Sequence, residues 1–172
     1  MPERDLILAR KGDTAAFERL VTPHLKGLFA FIKRRTGFEA EDVYQETLLG
    51  AWRAISGFSE GSSLKTWLYA IAGYKCADAL RRKTRAPVTV EADETLEGGG
   101  FEESSLQRLD LGNALKRLPE ESQSLLQLVY TEGFTLKEAA GVLGIPEGTA
   151  KSRLHALRRT LKELMGGEGD GD

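Results

Sequence analysis

The residues with the clearest chemical potential lie between positions 149 and 162, where five lysines or arginines occur without an aspartate or glutamate. One side of a helix over this segment is polar and positively charged, and we term it the basic face: Lys151, Ser152, His155, Arg158 and Arg159, continued by Lys162. The opposite side is an apolar stripe of Ala150, Leu154, Leu157, Leu161 and Leu164. Basic side chains neutralise phosphates, and long polar side chains reach base edges. The pattern therefore predicts DNA binding, with a solvated surface helix as the alternative.

The residues in front of this helix favour the DNA-binding interpretation. Thr135 and Glu138 have the spacing of a capping box, which marks the start of a preceding helix. Gly144 suits the end of that helix, and Pro146 suits the start of the next one. Two short helices joined by such a tight turn form a helix-turn-helix, whose second helix lies in the DNA major groove. Thr149 then falls in the first turn of the recognition helix.

A second candidate surface lies on a helix predicted from Ala40 to Ser56. Its apolar side is predicted to consist of Tyr44, Leu48, Ala51 and Ile55. The other side, which we term the acidic face, carries Asp42, Gln45, Glu46 and Leu49, with Arg53 on the same side and Trp52 at its flank. An apolar centre with a charged rim is typical of a protein-binding patch. The alternative is that Leu49 and Trp52 fold against the next helix.

A third candidate surface lies on a mostly apolar helix predicted from Ser63 to Arg85. We term its most unusual side the aromatic stripe: Trp67, Ala70, Tyr74, Ala77 and Arg81, with Lys75 and Asp78 nearby. Rings separated by alanines suit the stacking of unpaired bases, and the basic cluster that follows suits a nucleic-acid backbone: Arg81, Arg82, Lys83 and Arg85. Aromatic residues at helical spacing are also common in protein cores, so burial is the alternative.

Helical periodicity dominates the chain and no alternating strand is evident, which predicts an all-α fold. The first half contains helices near 5–10, 14–35, 40–56 and 63–85, with a kink or break at Pro23. From 86 to 104 the periodicity fails, since this segment combines Pro87, a triple glycine and six acids between Glu91 and Glu103. Such composition predicts a flexible acidic tether, with a surface loop as the alternative. Four helices are predicted between 105 and 165, followed by a disordered tail over 166–172.

Composition excludes several classes of protein. The 172 residues include 41% hydrophobic and 29% charged residues, as in globular proteins, and the net charge of −2 conceals separate basic and acidic segments. The single cysteine, Cys76, excludes an internal disulfide and is predicted to be buried and inert. His24 and His155 lie in different halves, and no histidine follows Asp42 and Glu46 at ligand spacing. We therefore predict no catalytic residues, no metal and no cofactor, and a cytoplasmic protein without a membrane segment.

The motifs together resemble the extracytoplasmic-function (ECF) type of bacterial RNA polymerase sigma factor, of the sigma-70 family. The first half resembles sigma region two through Glu41–Leu48, Ala51-Trp52 and Leu64–Ala72. The second half resembles sigma region four through Leu118-Pro119, Tyr130–Thr135 and Gly144–Leu154. The resemblance implies a region 2 domain over 1–86, a linker over 87–104 and a region 4 domain over 105–165.

The resemblance also implies a role for each surface. Residues that match the positions docking on the clamp helices of the polymerase are Asp42, Gln45, Glu46, Leu49 and Trp52. Residues in the segment that melts the −10 promoter element are Trp67, Tyr74, Lys75, Asp78, Arg81, Arg82 and Lys83. Residues of the helix that reads the −35 element are Thr149, Lys151, Ser152, His155, Arg158 and Arg159. The sequence departs from many relatives at Tyr74, where they have asparagine, and at Ala156, where they have arginine.

The implied partners are the bacterial polymerase core, through the clamp helices and flap, promoter DNA, and an anti-sigma factor. Two other interpretations compete with this one. A stand-alone helix-turn-helix repressor normally needs a dimer interface, and no heptad or extra apolar stripe provides one. An enzyme would need a nucleophile or metal set that the sequence does not supply.

Overall fold

The computed structural model describes residues 2–85 and 115–164. Within these two ranges every regular element is helical and none is a strand, which confirms the all-α prediction. The predicted tether over 87–104, the predicted tail over 166–172 and the start of the second half lie outside the described residues.

The first half contains five α-helices connected by short turns. Their bounds are α1 Pro2–Arg10, α2 Thr14–Val21, α3 Leu25–Thr36, α4 Ala40–Ala54 and α5 Leu64–Arg85, with 3₁₀ turns at Thr22–His24, Gly37–Glu39 and Ile55–Gly57. The predicted break at Pro23 is confirmed, because the first of these 3₁₀ turns separates α2 from α3. Asp13 caps α2 by accepting a hydrogen bond from the backbone N–H of Ala16 at 3.1 Å.

Helix α5 forms the centre of this half and packs against α3 and α4. Its buried side chains include Leu68, Tyr69, Ala72 and Cys76, each with no solvent exposure. The prediction for the buried side of α4 is partly wrong. Ala51 and Ile55 are buried as predicted, but Tyr44 and Leu48 are only partly buried, and the remaining buried positions are Ala40, Val43 and Thr47. Small and β-branched side chains fill this contact, and Thr47 satisfies its hydroxyl by donating to the Val43 carbonyl at 2.7 Å.

Between residues 120 and 164, the described part of the second half contains three α-helices. Helix α6 spans Glu120–Leu126 and continues as a π-helical turn over Gln127–Thr131, followed by α7 Leu136–Leu143 and α8 Glu147–Leu164. Its buried side chains are Leu125, Leu128, Phe134, Ala139, Ala140, Val142, Ala150, Leu154 and Leu157. Helices α7 and α8 with their short turn form the predicted helix-turn-helix.

The two halves also pack against each other, which the sequence did not predict. The Tyr69 ring on α5 meets the Phe134 ring edge-on, with centroids 5.0 Å apart. Lys65 donates to the Glu132 carbonyl at 2.7 Å and lies 3.2 Å from its carboxylate. Thr66 donates to the Glu138 carboxylate at 2.6 Å. One face of α5 is therefore covered by the helix-turn-helix half.

Gly73 marks the closest approach of this packing. A Cβ built on Gly73 would overlap the backbone carbonyl oxygen of Val142 in α7. Because a backbone atom cannot rotate away as a side chain can, this contact requires glycine. Gly141, by contrast, has no atom within 4 Å of a built Cβ and is exposed, although it lies in the same helix α7.

Gly73→Ala is expected to lower the free energy of unfolding by about 1–3 kcal/mol, because overpacking forces α5 and α7 apart. The matched control, Gly141→Ala, is expected to raise it by roughly 0.5–1 kcal/mol, since alanine favours a helix more than glycine does. Urea unfolding followed by circular dichroism measures both values. A stabilised Gly73→Ala variant would contradict the close packing of α5 on α7.

Candidate functional site

The helix-turn-helix is fixed by local hydrogen bonds that the sequence predicted. The Thr135 hydroxyl accepts from the Glu138 backbone N–H at 3.1 Å, and the Glu138 carboxylate accepts from the Thr135 backbone N–H at 3.1 Å. Gly144 ends α7 in the left-handed conformation, with φ of 69° and ψ of 31°. The predicted capping box and glycine cap are therefore both confirmed. They set the angle at which α8 leaves the turn.

Helix α8 separates its apolar and polar sides as predicted. Ala150, Leu154 and Leu157 are buried and Leu161 is partly buried, whereas the Leu164 side chain lies outside the described residues. Every member of the basic face is exposed. Thr149 is partly buried at the start of the helix. A row of exposed cationic and polar side chains on a rigid helix has the chemistry to pair with phosphates and base edges.

The arginines of α8 do not share one environment. Arg153 is tied to α6 by an ion pair with Glu121 at 2.6 Å. Arg158 donates from Nε to the Tyr130 hydroxyl at 2.7 Å, and its guanidinium lies 5.7 Å from the centre of that ring. Beside it runs a groove of about 720 Å³ that separates the basic face from the apolar side chains of Val129, Phe134 and Leu136. The sequence did not identify Tyr130 as a partner of α8.

The acidic face of α4 is accessible at most of its predicted positions. Asp42 and Gln45 are exposed and Leu49 is 52% exposed, so Leu49 does not fold against the next helix. Glu46 is partly buried and lies 3.6 Å from Arg82 on α5. Trp52 is partly buried and packs edge-on against Phe17 of α2, with centroids 5.2 Å apart. Trp52 therefore anchors α4 on a helix that precedes it in the chain.

The aromatic stripe of α5 contains rings in two different surroundings. Tyr74 is 64% exposed, whereas Trp67 is partly buried with its ring 5.0 Å from that of Phe58. The alternative of core packing thus applies in part to Trp67 and not to Tyr74. Lys75 and Asp78 are partly buried, and Asp78 lies 3.6 Å from Arg82.

The basic end of α5 is exposed at Arg81, Arg82 and Lys83, while the Arg85 side chain lies outside the described residues. Lys83 places its ammonium 4.9 Å from the centre of the Phe38 ring. Phe38 is 77% exposed and follows Gly37, which has a positive φ of 60°. The sequence marked Gly37 as a turn but did not mark Phe38 as a surface residue.

Cys76 and His24 are further reactive groups that the sequence singled out. Cys76 is fully buried, and burial raises the pKa of its thiol to about 11. Burial and the nearby Lys65 lower the pKa of His24 from 6.5. In the described part of the chain, no three histidine, cysteine or carboxylate side chains gather as metal ligands do. Among the helices of residues 2–85 and 115–164, none has the length and apolar character to cross a membrane.

Each half of the chain matches a known protein family. Residues 20–86 match the sigma-70 region 2 family, and residues 108–161 match the sigma-70 region 4 family. The ECF RNA polymerase sigma factor SigL of Mycobacterium tuberculosis is 35% identical over 170 residues, which cover 91% of this chain and 94% of SigL. The chain belongs to the ECF group of sigma-70 family sigma factors. The ECF RNA polymerase sigma factor SigW of Bacillus subtilis is 29% identical over 176 residues, covering 90% of this chain and 94% of SigW.

Two solved structures share the fold of this chain. The sigma factor RpoE from Bartonella quintana, crystallised with the anti-sigma factor NepR, matches 89% of this chain and 98% of RpoE with 27% identity and a TM-score of 0.65. CnrH, in complex with the cytosolic domain of CnrY, shares the fold at 24% identity, with 96% of this chain and 97% of CnrH covered and a TM-score of 0.63. In this sigma factor the region 2 match includes the acidic face and the aromatic stripe, and the region 4 match includes the basic face as far as Arg159.

The capping carboxylate makes a pH-dependent contribution to the stability of the sigma factor. Hydrogen bonds, first from Thr66 and then from Thr135, lower the pKa of Glu138 from 4.5. When the pKa of a carboxyl is lower in the folded than in the unfolded protein, the group stabilises the fold at pH values above the unfolded pKa. This contribution is lost as the pH falls through the folded pKa.

Glu138→Gln is therefore expected to be less stable than the wild type above about pH 4.5, with a difference in the free energy of unfolding that shrinks in more acidic buffer. Urea unfolding between pH 7 and pH 3 measures it, and Glu163→Gln, at an exposed carboxylate of α8, is the control. A difference that grows as the pH falls would contradict the assignment.

Proposed function

We propose that the protein is an alternative sigma factor that binds the bacterial RNA polymerase core and directs promoter-specific transcription initiation. The observation that supports this best is the exposed basic face on a capped helix-turn-helix, in a chain whose two halves match sigma regions 2 and 4. In this proposal the region 2 domain spans residues 1–86 and the region 4 domain spans residues 105–165, joined by the acidic linker over 87–104. The factor makes or breaks no covalent bond, since the polymerase carries out the chemistry.

The basic face of α8 reads the −35 element in this proposal. Its side chains project from a helix whose angle is fixed by the capping box and by Gly144. Lys151, His155 and Arg158 follow one another at intervals of four and three residues, so they line one side of three successive turns. That arrangement suits side chains that follow a major groove.

The aromatic stripe and the basic end of α5 melt the −10 element in this proposal. The largely exposed Tyr74 ring offers a flat surface on which an unpaired base stacks. Arg81, Arg82 and Lys83 supply positive charge about two turns or slightly more beyond Tyr74 on the same helix. Trp67, packed on Phe58, is partly buried and offers a smaller accessible surface than Tyr74.

The acidic face of α4 binds the clamp helices of the polymerase in this proposal. Asp42 and Gln45 are exposed beside Leu49, which combines a negative rim with an apolar contact. Because about half of the Leu49 surface is exposed, binding of a partner that removes this apolar area from water is stabilised by the hydrophobic effect. Binding to one polymerase also places both DNA-reading domains on one particle, so the second DNA contact is effectively intramolecular.

An anti-sigma factor is the proposed regulator, and the cytoplasm is the proposed location. RpoE, which shares the fold of this chain at 27% identity, was crystallised with the anti-sigma factor NepR. The low net charge of −2 fits a factor that does not remain on random DNA when it is free, because nonspecific affinity depends on neutralised phosphates.

Run-off transcription by bacterial core polymerase on genomic fragments, with and without the protein, tests the proposed function. Discrete transcripts that appear only with the protein are expected. Specific DNA binding by the protein alone, without new transcripts, would instead indicate a stand-alone repressor and contradict the proposal.

Lys151→Ala and Arg158→Ala are each expected to weaken promoter use by about 1–3 kcal/mol, because each removes a contact to the −35 element. Run-off transcription from a promoter found in the genomic screen measures the loss. Lys33→Ala is the matched control, since this exposed lysine lies on α3, outside the basic face. Equal losses for all three variants would indicate a general effect of charge and contradict reading by the basic face.

Asp42→Arg combined with Leu49→Arg is expected to weaken polymerase binding at least about tenfold, because it reverses the rim charge and removes the apolar contact. Glu46 is left unchanged because it pairs with Arg82. Co-purification with core polymerase measures binding, and circular dichroism verifies the fold. Glu18→Arg, at an exposed glutamate on α2, controls for charge reversal alone. Undiminished co-purification of the double variant would place the interface elsewhere.

A further inference from the structure

Tyr130 contacts the basic face although it lies on a different element. It belongs to the π-helical turn that follows α6, and it is 56% exposed. Its hydroxyl accepts a hydrogen bond from Arg158 Nε at 2.7 Å, and its ring lies 5.7 Å from the Arg158 guanidinium carbon. The hydroxyl and the ring of one phenol therefore both lie against the same guanidinium.

The location of the pair shows that it is not required for packing. The apolar centre beneath it is completed by Leu125 and Leu128, neither of which has any solvent exposure. Tyr130 and Arg158 are both exposed, and contacts in water contribute little to the stability of a fold. π-Helical turns are found disproportionately at functional sites, where they redirect a side chain. Here the turn presents Tyr130 to the fourth turn of α8, where Arg158 lies.

The geometry also determines which part of Arg158 stays free. The phenol occupies Nε, so the two terminal amino groups retain their donors. Terminal guanidinium groups form two parallel hydrogen bonds with a pair of acceptors, such as O6 and N7 of guanine or two oxygens of a phosphate. An arginine that is already held in one rotamer loses less conformational freedom when it makes such bonds.

We propose that Tyr130 is a positioning residue for DNA recognition, which holds Arg158 so that its terminal amino groups meet a pair of acceptors on the DNA. The inference rests on the proposed function. It adds to the proposed −35 site a residue that is not part of the basic face and that the sequence pattern of this face does not indicate. Tyr130 itself needs no contact with DNA. Its effect on promoter recognition therefore passes entirely through Arg158.

A double-mutant cycle in the full-length protein tests this dependence. Tyr130→Phe keeps the ring but removes the hydroxyl, and it is expected to reduce transcription from a −35-dependent promoter about three- to fivefold, the effect of losing one solvent-exposed contact of a charged group. In an Arg158→Ala background the same change is expected to have an effect of less than about twofold. In an Arg159→Ala background, the matched control, Tyr130→Phe is expected to retain its full effect. An equal effect in all backgrounds would overturn the proposal.

Two further measurements distinguish positioning from a structural role and identify the acceptor. If Arg158 binds guanine, Tyr130→Phe and Arg158→Ala both relax the preference at the same base pair in a library of randomised −35 sequences. If Arg158 binds phosphate, Arg158→Ala reduces the slope of log affinity against log salt by about 0.9, measured with the holoenzyme, and Tyr130→Phe reduces it by a smaller amount because the guanidinium charge remains. Either result supports the proposal, and a change in neither quantity overturns it.

A separate observation tells failure of this inference from failure of the proposed function. Wild-type protein that directs no −35-dependent transcription contradicts the proposed function, and the role of Tyr130 fails with it. If the wild-type protein directs −35-dependent transcription but Tyr130→Phe leaves the Arg158 Nε–H resonance unaltered in ¹⁵N NMR spectra, only the role of Tyr130 is contradicted.

Discussion

The burial of helix α5 on two sides is the constraint on which the rest of the structure depends. Helix α5 packs on α3 and α4, and its fully buried Tyr69 contacts both Phe31 of α3 and Phe134 of the other half. Gly73 allows α7 to approach at backbone distance. A helix surrounded in this way has a fixed rotation about its own axis. The side chains that remain outside, Tyr74 above all, are consequently held in a defined direction.

The three candidate surfaces all avoid this contact between the halves. The acidic face lies on α4, the exposed part of the aromatic stripe lies on the outer side of α5, and the basic face lies on α8, which packs on α6 and α7. The interior and the three candidate surfaces therefore use different side chains of the same helices. That division leaves the acidic face, Tyr74 and the basic face accessible while the described helices keep a continuous apolar interior.

Local chemistry explains what the sequence predicted well. The capping box, the glycine cap at Gly144, the break at Pro23 and the apolar stripe of α8 each depend on residues within a few positions of one another, so spacing alone reveals them. The misses are all contacts between residues distant in sequence. Trp52 packs on Phe17. The buried side of α4 is formed by Val43 and Thr47 where larger side chains were predicted. Tyr130 contacts Arg158, which lies 28 positions further along the chain. Periodicity assigns a residue to a face but does not identify the element that the face will meet.

The environment of Cys76 has a practical consequence. This residue is the single thiol of the chain, and it is fully buried on α5, the helix that both halves share. With a pKa of about 11, only about one molecule in ten thousand carries the reactive thiolate at pH 7. Alkylating reagents therefore modify it chiefly when α5 becomes exposed, and the rate of modification reports the free energy of that opening. Cys76 is thus a native probe of the opening of α5, the helix that packs against elements of both halves.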